Sequence, residues 1–135
     1  MGNHCHTFGS DPQEIDLMND ILVITVNYKN TAITENFVRS LEILDQSDRV
    51  KLVVVDSEST NETIENLRLL LQNSTLKSLL IHSASNTFYW GGVALALHTL
   101  DLNYVNGPTW IIACNNDILF PQKEIFSKLK DLDST

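Results

Sequence analysis

The chain has 135 residues, 43% hydrophobic and 19% charged, which suffices for one domain with a buried core, is too short for two, and excludes wholesale disorder. Its net charge of -8 argues against a polyanion partner such as nucleic acid, which demands a basic face, and half of that excess lies in the first twenty residues, where Asp11, Glu14, Asp16 and Asp20 meet no Lys or Arg. No apolar run reaches the length of a transmembrane segment, the N-terminus lacks a signal-peptide layout, and Cys5 and Cys114 are too few for a disulfide framework, so a reduced cytoplasmic setting is expected.

Residues 1–18 show no sustained periodicity and read as a mobile tail, natural or left by expression, ahead of a single domain over 19–135. Within the tail, His4-Cys5-His6 offers imidazole and thiolate, yet adjacent residues cannot close a tetrahedral metal site without distant ligands. "ILVITVN" from Ile21 is a continuous β-branched run, the pattern of a strand covered on both faces. Ile33, Phe37, Leu41 and Leu44 then recur at helical spacing, with Glu35, Arg39 and Glu42 between them. "KLVVVD" is a second buried strand, and Ser59-Thr60-Asn61-Glu62 after it has the form of a capping box with Ser59 at the helix start. Ile64, Leu67, Leu70 and Leu71 supply that helix's apolar stripe. "KSLLIHS" is a third strand, "GGVALALHTLDLNYV" a helix entered through small residues, and "TWIIAC" a fourth strand. A short amphipathic helix from about Gln122 to Leu132 closes the chain.

Strands alternating with helices predict an α/β fold: three layers, α/β/α, around a mostly parallel, Rossmann-like sheet. In such a sheet everything just past the strands' carboxyl ends gathers along one rim, where ligands bind. Asn27-Tyr28-Lys29, Asp56-Ser57, the segment from Ser83 to Asn86, and Asn115-Asn116-Asp117 follow the four strands in turn. Neither GxGxxG nor GxxxxGK[ST] is present, so the common phosphate cradles are missing. Between Lys77 and Lys123 there is no Lys or Arg. A diphosphate beside Asp117 therefore calls for a divalent cation, Mg2+ or Mn2+, which binds through one or two carboxylates and the phosphates themselves. Asp117 is the candidate metal ligand, and Asn115 and Asn116 are placed to orient ribose hydroxyls or water.

Each of these residues also has a plain structural use. Asp56 can end a strand, Asp117 can cap a turn or helix, and Tyr28 can pack at a strand end. Gly91 and Gly92 can serve as turn glycines, and Ser59 as a cap alone. Phe88, Tyr89 and Trp90 suit a core, a subunit patch or a pocket wall equally. His82 and His98 read as packed or rim histidines, and Lys29 as the rim's cation, available to a phosphate.

"VITVNYKN", "VVVDSEST", "NTFYWGGVALAL" and "IIACNNDI", in this order and spacing, resemble the nucleotide-binding half of family 2 glycosyltransferases with the GT-A fold, in particular the rhamnosyltransferase-like branch. The resemblance covers about Ile21 to Phe120. It implies that Val26, Asn27 and Tyr28 line a base pocket and that Asp56 accepts a hydrogen bond from the base. It further implies that Asn86, Gly91 and Gly92 lie along the diphosphate and sugar, with Asn115 near the ribose and Asp117 on the metal. The implied partners are a nucleoside-diphosphate sugar and an acceptor glycan or lipid-linked glycan, with the protein in the cytoplasm or peripheral at the inner membrane. Ala94 and Ala96 stand where the family has Asn and Gly, and alanine cannot hydrogen-bond a sugar. The family's catalytic base and acceptor site lie beyond the fourth-strand motif, so this chain reads as the donor-binding part, truncated or degenerate. The competing readings are a non-catalytic interaction module on the same scaffold, or another α/β nucleotide enzyme such as a nucleotidyltransferase.

Overall fold

In the computed structural model, which describes residues 5–9, 21–57, 59–100 and 108–133, the apolar runs are strands and the helical stripes are helices. The order is β1 (Cys5–Gly9), β2 (Ile21–Asn27), α1 (Thr31–Glu42), β3 (Val50–Ser57), α2 (Asn61–Gln72), β4 (Lys77–Ser83), α3 (Phe88–Leu100), β5 (Trp110–Ala113) and α4 (Ile125–Asp133). Four strands are parallel in the spatial order β4-β3-β2-β5, and β1 adds to β4 antiparallel.

Strand alternation divides the core in two. Ile21 and Val23 of β2, Val50, Leu52 and Val54 of β3 and Leu80 of β4 pack with Phe37, Val38 and Leu41 of α1, Leu67 and Leu71 of α2, and Phe126 of α4. Leu22, Ile24, Val53, Val55, Leu79 and Ile81 point the other way, onto Val93, Ala96 and Leu100 of α3. The strands are thus covered on both faces, which is why they read as continuous apolar runs. Each fully buried Val, Leu, Ile or Phe contributes about 1.5–3 kcal/mol, so three layers are what this sequence stabilises. The loop after β3 leads to α2 on one face and the loop after β4 to α3 on the other, so the carboxyl-end rim opens between them.

Three local features differ from the sequence reading. The expected tail contains β1: His6 is in register with His82 and Thr7 with Ile81 along β4, giving backbone partners to an edge that would otherwise be bare. A five-residue edge strand is too short to show a period. At α2 the N-cap is Thr60, whose hydroxyl accepts from Thr63 N at 3.3 Å, and Ser59 is turned elsewhere. Helix α3 starts at Phe88, so Gly91 and Gly92 lie inside its first turns. The expected continuation of that helix over 101–105 falls outside the described residues.

Candidate functional site

The register of the parallel strands sets one polar row across the rim. Asn27 pairs in register with Asp56, and Asp56 with His82. Alternation puts all three on the face of α1 and α2, because Val54 and Leu80, two residues earlier, belong to that core. Asp56 is fully buried and takes three side-chain donors: Asn27 Nδ2 (3.0 Å) and Ser59 Oγ (2.6 Å) at Oδ1, and His82 Nδ1 (2.9 Å) at Oδ2. A carboxylate without solvent requires this degree of pairing. Because the carboxylate only accepts, His82 Nδ1 carries a hydrogen, and in the neutral ring Nε2 is left as an acceptor.

The row continues onto α1 and the strand-five loop. Thr34 Oγ1 donates to Asn27 Oδ1 at 2.5 Å and accepts from Asn116 Nδ2 at 2.9 Å. Asn116 neighbours Asp117, which is exposed, and both line a shallow depression of about 160 Å³ with Ile33, Asn36 and Leu119. Asp56 and Asp117 thus lie on one flank of the rim, one buried and one open, joined through Asn27, Thr34 and Asn116.

The opposite flank belongs to α3. Ser57 Oγ donates to Asn86 Oδ1 at 3.2 Å and accepts from Thr87 N at 2.8 Å, and Phe88 N donates to Asn86 Oδ1 at 2.9 Å. Gly92 is buried here: a Cβ on it would lie 2.6 Å from Val26 Cγ2, so the close approach it permits is of helix to strand. Gly91 is exposed, with only ordinary contact to Thr87 Cβ at 3.5 Å. Tyr28 is 47% exposed, with Lys29 Nζ 5.0 Å from its ring centroid. Phe88 and Trp90 are each 73% exposed, and Trp90 meets Tyr89 edge-on at 4.9 Å. Burial pushes the Cys114 thiol up to about 11, and burial with Cys114 beside it raises the Tyr89 phenol.

Of the sequence candidates, Asn27, Asp56 and Asn116 come together in one network that delivers Asp117 to its edge, whereas Val26, Asn86 and Gly92 belong to the α3 flank. Sequence reasoning missed Thr34 and Thr87, placed Ser57 at the rim without a partner, gave Ser59 to the helix cap and left His82 as a packed or rim histidine. Two signals were available. Thr34 is a polar residue on the buried stripe that holds Phe37, Val38 and Leu41, and Asp56 and His82 are each penultimate in neighbouring parallel strands.

Among the described residues no three His, Cys, Asp or Glu side chains gather to hold a metal. Asp117 presents a carboxylate and Asn115 an amide oxygen, both exposed, and hard oxygens of this kind suit Mg2+ or Mn2+. Of His4-Cys5-His6, His4 and the other two side chains fall outside the described residues. His98 is exposed in the last turn of α3, away from the rim.

The fold, a four-stranded parallel sheet with flanking helices, is an α/β fold shared with solved glycosyltransferase structures. Two solved structures of S. aureus TarS, a glycosyltransferase, share the fold. One aligns with a TM-score of 0.65 at 18% identity, covering 85% of this chain and 20% of that one. The other, S. aureus TarS 1-349, aligns with a TM-score of 0.60 at 21% identity, covering 85% of this chain and 31% of that one. The chain therefore spans less than a third of the length of either neighbour. No protein-family model matches the chain, and no curated protein matches it. Among the described residues, no helix is long and apolar enough to cross a membrane.

Proposed function

We propose that this chain is the donor-binding part of a glycosyltransferase that takes a sugar from a nucleoside diphosphate, most similar in its motifs to the rhamnosyltransferase-like branch of family 2. The observation that carries the reading is the hydrogen-bonded path from Asp56 to Asn116, which places a buried carboxylate and the exposed Asp117 on one flank of the rim.

In this reading the base lies over the Asn27–Asp56–His82 row, against Val26 and Tyr28. Asp56 is closed off without a ligand, so a base N–H reaches Oδ1 by taking the place of the half-buried Ser59 hydroxyl. Asn115 and Asn116 orient the ribose and the loop, and Asn86, Gly91 and Gly92 form the α3 side of the diphosphate and sugar subsite. Asp117, with Asn115, would hold Mg2+ or Mn2+. Bound there, the ion would supply positive charge for the departing diphosphate, which the run without Lys or Arg from Lys77 to Lys123 does not. The acceptor in this reading is a glycan or lipid-linked glycan.

The test is a thermal-shift series with UDP, GDP and dTDP, each with and without Mn2+. A ligand that binds only the folded state raises the melting temperature. At least one nucleotide is expected to do so in a metal-dependent way, and Asp117→Asn is expected to remove the metal-dependent part alone. No shift from any of the three ends this reading. The exposure of Phe88 and Trp90 supports a second reading, a non-catalytic module that docks a protein through α3. It expects no nucleotide response and loss of a partner on Trp90→Ser.

A further inference from the structure

We infer that Thr34 is the positioning residue through which Asp56 and the Asn115–Asp117 loop are held in one arrangement; the ligand consequences drawn below rest on the donor-site reading. The chemistry fixes the polarity of the path. Asp56 accepts only, so Asn27 must present its Nδ2 to it, which turns Asn27 Oδ1 toward Thr34. Thr34 must then donate its single hydrogen to that oxygen, and the remaining capacity of its hydroxyl oxygen accepts from Asn116 Nδ2. Every donor in the path points toward the carboxylate, an order in which successive bonds polarise one another. Thr34 has no exposure, so solvent does not compete for its hydroxyl.

Among the described residues the loop has few other ties. Its entry is pinned to β2, where Cys114 N donates to Ile24 O at 3.0 Å and Thr25 Oγ1 donates to Cys114 O at 2.8 Å. Its exit is anchored by Phe120, packed 6.0 Å from the Phe37 ring. Between these anchors Asn115, Asp117, Ile118 and Leu119 are all exposed. Asn116, half-buried, ties this stretch to the body of the domain through Thr34. A ligand that replaces Ser59 on Asp56 therefore acts on the same path that sets Asp117. Coupling of this kind is reciprocal, so a nucleotide that strengthens Mn2+ binding is strengthened equally by Mn2+.

The experiment compares the full chain with Thr34→Val, Thr34→Ser and Asn116→Ala. Thr34→Val removes the hydroxyl at similar size, Thr34→Ser keeps it, and Asn116→Ala cuts the same link from the half-buried side should the valine variant fail to fold. In ligand-free protein, amide exchange over residues 114–119 is expected to be about tenfold faster in Thr34→Val and Asn116→Ala and wild-type-like in Thr34→Ser. Unchanged exchange in both cutting variants overturns the inference. Binding of UDP, GDP and dTDP is then titrated with and without Mn2+. A wild-type coupling of about fivefold or more is expected to fall toward one in Thr34→Val and to return in Thr34→Ser. Coupling that survives in Thr34→Val overturns the inference, whereas a wild type that binds none of the three nucleotides overturns the functional reading and leaves the exchange result to decide on Thr34.

Discussion

His82 Nδ1 stands 2.9 Å from Asp56 Oδ2 across two neighbouring parallel strands, the two residues being exact register partners. Asp56 has no exposure and His82 keeps 12%, so the pair is a buried acid with a partner at the edge of the rim. Only a sheet that ends β3 and β4 at the same level produces this contact.

Removing the carboxylate strands three donors, and removing His82 leaves two of the three in place. Asp56→Ala is expected to lower stability by about 3–5 kcal/mol and His82→Ala by about 1–3 kcal/mol, read from urea unfolding at neutral pH. An Asp56→Ala loss below about 1 kcal/mol would show that the row does not hold the rim together.

Gly92 and Val26 set the seat of α3 on the sheet. A methyl at Gly92 meets Val26 Cγ2 at 2.6 Å and Thr87 Oγ1 at 3.1 Å, so the helix or the strand must move. Gly92→Ala is expected to cost about 1–3 kcal/mol, with Val26→Ala in the same chain recovering about 1 kcal/mol of it. Gly91→Ala, in open contact, is expected to stay within about 1 kcal/mol of wild type, on the stabilising side. Equal effects at the two glycines would contradict the packing described.

Cys114 gives a pH dependence with a definite sign. Burial pushes its thiol up from the ordinary 9.0 to about 11, so the folded state holds the proton more tightly than the unfolded chain. Its contribution to stability is complete below pH 9.0 and is lost as the pH rises through about 11. In a Cys5→Ser background, unfolding measured from pH 8 to 11 is expected to show a fall that Cys114→Ala makes smaller, the remainder including the raised Tyr89 phenol. Iodoacetamide is expected to label Cys114 far more slowly in the native protein than in urea.

Strands β2, β3 and β4 were legible because β-branched runs bounded by polar residues admit few other structures, and the rule that strand ends gather at one rim placed Asp56 and Asp117 in the same region. What surrounds Asp56 was not legible. Whether Ser59 caps a helix or bonds a carboxylate depends on a few ångströms of loop path, and Thr60 one residue later serves the cap equally well. His82 becomes Asp56's partner only once β4 is known to lie beside β3. Strand β1 was invisible because edge pairing is decided by the vacant neighbour and not by a pattern of its own. Gly92 looked like a glycine for a ligand, and its tightest constraint is a valine of the adjoining strand.

If the proposed function holds, a nucleoside diphosphate runs from the Asp56 row to Asp117 with α3 on its other side, and the most direct measurement is an NMR titration of isotope-labelled protein with the nucleotide that stabilises it best, followed by trace Mn2+. Amide shifts are expected at Asn27, Ser59 and His82 on adding nucleotide, and paramagnetic broadening centred on Asn115 to Asp117 on adding the metal. Broadening centred on His4-Cys5-His6 or on α2, with Asn115 to Asp117 still sharp, would contradict it.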